Sequence, residues 1–267
     1  MELLRYWYYD RFDWLYTRIY ENQFFFFDYW SFVHLWSGFV LFVIIIYYKK
    51  SNPFLYQIFF LVIYELGEIL FRYLLFKIIE PETFKDQITD IVIGFIGGVV
   101  CFYLIVNEKL IIIEIKRKYF DLFTIFFVSI TISFLWVGFY GYKYNVSFLN
   151  TPGINVTTWI LWTIGLILCS FTYKQLKEKL NSRWKSISIV YILYIPLLFL
   201  FEYFNYHILM FREISTANRV ALIFDVIHGT SALHIYYLTA PIINIFTYVI
   251  IYKLFLGVVD FRKKIPT

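Results

Sequence analysis

Ionisable side chains are costly inside apolar segments, and this sequence places several there at helical spacing. Asp28 and His34 stand at the start of one apolar run, in Asp28-Tyr-Trp-Ser-Phe-Val-His34-Leu-Trp-Ser-Gly38. Glu65, Glu68 and Arg72 lie in the next, in Tyr64-Glu-Leu-Gly-Glu-Ile-Leu-Phe-Arg72. Their separations of three, four and seven put all three on one helix face. Asp86 and Asp90, four apart, open a third run that continues through Gly94, Gly97 and Gly98. Small residues at that spacing let two helices approach closely. A second set follows later: Glu202 and His207, then Arg212, His228 and His234.

Carboxylates gathered around a histidine are suited to general acid–base work, because burial raises one acid above its neighbours. In that reading Glu68 or Asp90 is the acid or base, His34 and Glu65 complete the catalytic group, and Arg72 anchors an anionic headgroup. Asp86, Glu202, His228 and His234 are the candidate substrate-binding residues. The competing reading is helix adhesion, with Glu65 or Glu68 paired to Arg72 and Asp90 bonded to His34. Metal binding is not expected. There is no HxxxH, HExxH or cysteine pair, and the six-residue spacing of His228 and His234 is poor for ligands. No cofactor is indicated. P-loop and GxSxG patterns are absent.

The elements that carry these residues are apolar. Over 267 residues, 61% are hydrophobic, 24% aromatic and only 16% charged, and mean hydropathy is +0.67. That excludes a disordered chain and a soluble globular domain. Seven segments, at about 28–48, 55–77, 88–106, 120–142, 156–173, 187–206 and 235–256, have the length a roughly 30 Å hydrocarbon layer requires. Each must be helical, because unpaired backbone groups in lipid cost several kcal/mol apiece. The expected fold is therefore all-α: a polytopic transmembrane helical bundle of seven helices.

The alternate connections, after the first, third, fifth and seventh spans, hold fifteen of the 24 Lys and Arg. Basic loops stay cytoplasmic, so the N-terminus is expected outside and the C-terminus cytoplasmic. All the acidic groups and histidines above then fall towards the outer side. Residues 3–20 repeat Leu4, Tyr8, Phe12, Leu15 and Ile19 along one face, which predicts an interfacial amphipathic helix in a segment 1–23. Residues 24–267 are expected to form a single transmembrane domain. The basic runs suit a cytoplasmic membrane edge, and nucleic acid is not an expected partner.

The order Asp28-x5-His34-x3-Gly38, Tyr64-Glu65-x2-Glu68, Asp86-x3-Asp90-x3-Gly94-x2-Gly97 resembles the VanZ-like and YjdF-like bacterial integral membrane proteins. The resemblance covers about 28–105. Ile93 stands where that family often has an asparagine. The resemblance implies a protein of the bacterial cell membrane and names no reaction. The expected function is an integral membrane protein with an outward-facing acidic/His cavity that binds or modifies a lipid or cell-envelope component. The alternatives are a transporter or proton-coupled carrier, and a metal-dependent lipid hydrolase of the seven-helix ceramidase type.

Overall fold

The computed structural model describes residues 12–48, 51–71, 83–106, 117–140, 142, 144–212, 220–222, 226–229 and 231–262. Among these residues, seven helices are long and apolar enough to cross a membrane: α1 (Tyr29–Tyr47), α2 (Pro53–Phe71), α3 (Phe84–Cys101), α4 (Arg117–Tyr140), α5 (Val156–Leu180), α6 (Arg183–Tyr203) and α7 (Ser231–Arg262). This is the architecture of a multi-pass membrane protein. About 83% of the described residues are helical, and the strands among them form only two short hairpins. Outward-turned Leu55, Phe59, Ile63 and Leu66 on α2, and Ile192, Leu193 and Leu197 on α6, are exposed. Such apolar faces suit a hydrocarbon solvent rather than water.

The helix ends follow local side-chain chemistry. Asp28 caps α1: its carboxylate accepts from the Ser31 amide at 2.9 Å, while Ser31 Oγ accepts from the Asp28 amide. This reciprocal pair satisfies two donors that the helix itself cannot. Thr83 caps α3 and draws its start back to Phe84, four residues before the expected position. Helices α5 and α6 also run longer than the hydropathy implies. Asn181 ends α5 in the left-handed region (φ 49°), and Ser182 caps α6 at once. An asparagine tolerates that conformation, so a two-residue turn replaces the longer loop expected across 174–186. π-helical turns close α3 (Phe102–Val106) and α6 (Phe204–Ile208).

The expected interfacial helix over 3–20 is not continued at its described end. Residues 1–11 lie outside the described residues. Asp13–Tyr16 form a single 3-10 turn, and Arg18–Glu21 (β1) pair antiparallel with Phe26–Asp28 (β2). The turn between them is set by Asn22, whose side-chain oxygen accepts from the amides of Phe24 and Phe25. An Asx turn beside aromatic and β-branched residues favours a hairpin over a helix. A second hairpin pairs β3 (Val220–Leu222) with β4 (Ile227–Gly229).

The chain divides into two compact units, one of residues 1–120 and 252–267, the other of residues 121–251. In the first, α1 and α3 meet along a glycine seam. A Cβ on Gly38 would strike the Gly94 backbone, and one on Gly97 would strike the Leu35 carbonyl and stand 2.9 Å from the Phe39 amide nitrogen. Gln57 of α2 reaches into this seam and donates to the Gly94 carbonyl at 2.9 Å and the Gly38 carbonyl at 3.3 Å. A Cβ on Gly98 would overlap its amide. Phe39, Phe42, Leu61, Cys101 and Phe255 fill the core of this unit.

The second unit is knit by aromatic and hydroxyl groups. Leu198, Val226 and Tyr237 form one cluster, and Leu166, Tyr236 and Ala240 another, both reached by Trp136 and Trp162. Deeper polar ties join its helices: Asn244 donates to Ser129 and Ser170, and Ser133 bonds Thr163 at 2.6 Å.

Candidate acid–base site

Three helices of the first unit converge on one imidazole. His34 Nε2 lies 3.3 Å from Asp90 Oδ2, and His34 Nδ1 lies 3.8 Å from Glu65 Oε1. His34, Glu65 and Asp90 are all buried. One residue comes from each of α1, α2 and α3, and the glycine seam is what allows it. Gly38 follows His34 by one turn and Gly94 follows Asp90 by one turn. The backbone approach they permit draws the imidazole and carboxylate into reach. Trp30, one turn before His34, and Tyr64, beside Glu65, stand at ring-centroid distances of 6.2 and 6.0 Å from the imidazole. They wall it with apolar surface.

The depth of the site follows from helix rise. His34 lies six residues beyond the Asp28 cap and Asp90 six residues beyond Phe84, about 9 Å into each helix. Contact with His34 puts Glu65 at the same level. Glu68 and Asp86, both half-buried, and Asp28 stand nearer the helix ends and form an acidic tier above the trio. Burial and the nearby Asp86 carboxylate push Asp28 up from 3.8 to about 6, against the hydrogen bonds from Ser31. The hairpin is tied over this end by Lys85, whose ammonium lies 3.1 Å from Glu21 and also donates to the Asn22 carbonyl. Lys85 holds the Glu21 carboxyl below its ordinary value.

An imidazole between two carboxylates can hold or pass a proton at either nitrogen. The same atoms can ligate a cation: one donor each from His34, Glu65 and Asp90 lie within 4.8 Å of one another. Sequence spacing alone does not reveal such a set, because its members come from three separate helices.

The remaining candidates are placed differently. Arg72 lies outside the described residues. Glu202 and His234 belong to the second unit, and both are buried there. His228 sits on β4 opposite Ala221. Glu202 is engaged in a cluster that the sequence reading did not assemble. Its Oε2 accepts from Arg212 Nη1 at 2.7 Å and its Oε1 from the Tyr237 hydroxyl at 3.1 Å. The guanidinium is also stacked on Tyr142 and Tyr206, at 5.0 and 4.6 Å. Arg212 follows Glu202 by ten residues, beyond a π-turn, so no helical periodicity links them. Asn155, part of an Asn-x-Thr triplet, caps α5 with a buried side chain.

Fold and site together define the class: a multi-pass α-helical membrane protein with a buried carboxylate–imidazole–carboxylate group near one end of three helices. No family model matches the chain, and neither a curated protein nor a solved structure matches it. The resemblance of residues 28–105 to VanZ-like proteins therefore rests on the motif order alone.

Proposed function

We propose that this protein binds or modifies the headgroup end of a lipid-like component of the cell envelope, with His34, Glu65 and Asp90 as its acid–base centre. The observation that carries the reading is His34 held between two acids at one depth, about 9 Å from the helix ends. Against a hydrocarbon core of about 30 Å, that level lies about 6 Å short of the midplane, with the carboxylates of Asp28, Glu68 and Asp86 between it and the helix ends. A carrier needs polar groups that continue across the membrane, whereas Asp28, Glu68 and Asp86 gather with the trio towards one end of the helices, which favours headgroup chemistry over transport. The distribution of Lys and Arg supports an outward-facing position for this end of the helices.

Asp90, the closer acid, orients the imidazole and exchanges its proton, and Glu65 balances the imidazolium from the other nitrogen. Glu68 and Asp86 lie on the approach and meet the headgroup. The test is purification of the full chain in mild detergent, with native mass spectrometry of what it retains. The membrane lipids of cells expressing wild type, His34→Gln and Asp90→Asn are compared in parallel. The expected result is a lipid-like species retained or altered by wild type and not by variants of unchanged helical content. The same retained species and the same membrane composition in all three would overturn the reading.

A further inference from the structure

We propose that His34, Glu65 and Asp90 hold a divalent transition-metal ion, ligated by one imidazole nitrogen and two carboxylate oxygens from three helices. This deepens the proposed function and rests on it only in taking this trio as the working site. Three observations support it. First, the donor atoms lie within 4.8 Å of one another. Ligands on an ion at about 2.0–2.2 Å stand about 3.3 Å apart, so side-chain rotation of roughly 1.5 Å closes the set without moving a helix. One pair, His34 Nε2 and Asp90 Oδ2 at 3.3 Å, already has that separation.

Second, the donor types suit such an ion. Imidazole with carboxylate fits zinc, manganese and iron, whereas calcium and magnesium favour oxygen-only sets. Three protein ligands also leave a coordination position for water or a substrate oxygen, the arrangement of catalytic rather than structural sites.

Third, the charges favour it. Two carboxylates beside an imidazole present negative charge to an ion between them, and their attraction for a dication is strong where the dielectric is low. The Trp30 and Tyr64 walls keep the trio in such surroundings, and the carboxylates of Asp28, Glu68 and Asp86 above it draw cations towards this end.

The experiment uses the full chain in detergent, stripped with a chelator and titrated separately with Zn2+, Mn2+ and Co2+. The expected result is one tightly bound equivalent of at least one ion. Glu65→Gln and Asp90→Asn should each weaken it by about a hundredfold or more, since even outer-shell changes cost 10–100-fold. Asp121→Asn, whose carboxylate lies in the second unit, should leave binding unchanged. A folded wild type that takes up no equivalent of any of the three ions overturns the proposal, whatever the variants do. So does equal uptake by wild type and a folded Glu65→Gln/Asp90→Asn double variant. Lipid retention is scored on the same preparations. Metal without lipid sinks the proposed function alone, and lipid without metal sinks this inference alone.

Discussion

Asp28 offers a test of the acidic tier above the trio that needs no knowledge of substrate. It is buried at 3% exposure, and its carboxyl is raised from 3.8 to about 6, first by burial and then by Asp86. The folded protein therefore takes up this proton at a higher pH than the unfolded chain does. Between about pH 4 and pH 6 Asp28 binds more proton in the native state, so its own contribution to stability falls as pH rises across that window and is level on either side of it. At about 1.4 kcal/mol per pH unit, the ionised side chain costs the fold about 3 kcal/mol at neutral pH. Asp28→Asn removes the ionisation and keeps the helix cap, because asparagine accepts from the Ser31 amide as aspartate does. The variant should thus be more stable than wild type by about 3 kcal/mol at pH 7, and the two should converge near pH 4. The assay is unfolding of the detergent-solubilised protein by titrated denaturing detergent, followed by tryptophan fluorescence at several pH values. A difference between the two proteins that does not change with pH would refute the reasoning, because only the titration of Asp28 makes it vary.

Two further predictions probe the frame around the site and the second cluster. Gly97→Ala drives a methyl into the Leu35–Phe39 backbone and should destabilise the protein by about 1–3 kcal/mol. Gly67→Ala, which meets nothing within 4 Å, should be neutral or stabilise by up to about 1 kcal/mol; thermal melts of the two variants should move in opposite directions or differ by that sum. Glu202→Gln leaves the Arg212 cation buried without its counter-charge and should cost about 3–5 kcal/mol, while Glu202→Leu/Arg212→Met costs less than either charge removal alone. Chemical unfolding of the two proteins and of Arg212→Met checks that order.

The membrane class and the seven spans were legible because hydropathy over some 20 residues is a large signal that tertiary packing does not reverse. The glycine seam was legible for a similar reason: Gly94, Gly97 and Gly98 beside Asp90 have few uses in a helix other than close approach. Helix ends were not, because they depend on single side chains. Thr83, Asn181 and Ser182 each reset a boundary through one hydrogen bond or one left-handed residue, with no change in hydropathy. The hairpin over 18–28 was missed because aromatic residues at a spacing of about four also fit a helix, and the Asx turn at Asn22 decided between the two. At the site, three of the four residues expected to do chemistry converge, and the motif order pointed to them. The pairing of His34 with Glu65, rather than with Asp90 alone, depends on how α2 leans on the seam, which local sequence does not encode.

The two buried ionic clusters differ in a way that bears on function. In the second unit both Glu202 oxygens are engaged, by Arg212 and by the Tyr237 hydroxyl, and the cation is sandwiched by Tyr142 and Tyr206. Charge is matched one to one, and every contact is supplied from within. Such a cluster ties Tyr142 to the 209–212 segment, which also takes the Asn145 hydrogen bonds at Phe211 and Met210. In the first unit one imidazole faces two carboxylates, and a tier of three more stands between them and the helix ends. The helices there are already held by Gly38, Gly94, Gly97 and Gln57, and one imidazole and two carboxylate donors within 4.8 Å of one another can take up a proton or a metal ion. That is the reason to place the chemistry at His34, Glu65 and Asp90 rather than at Glu202.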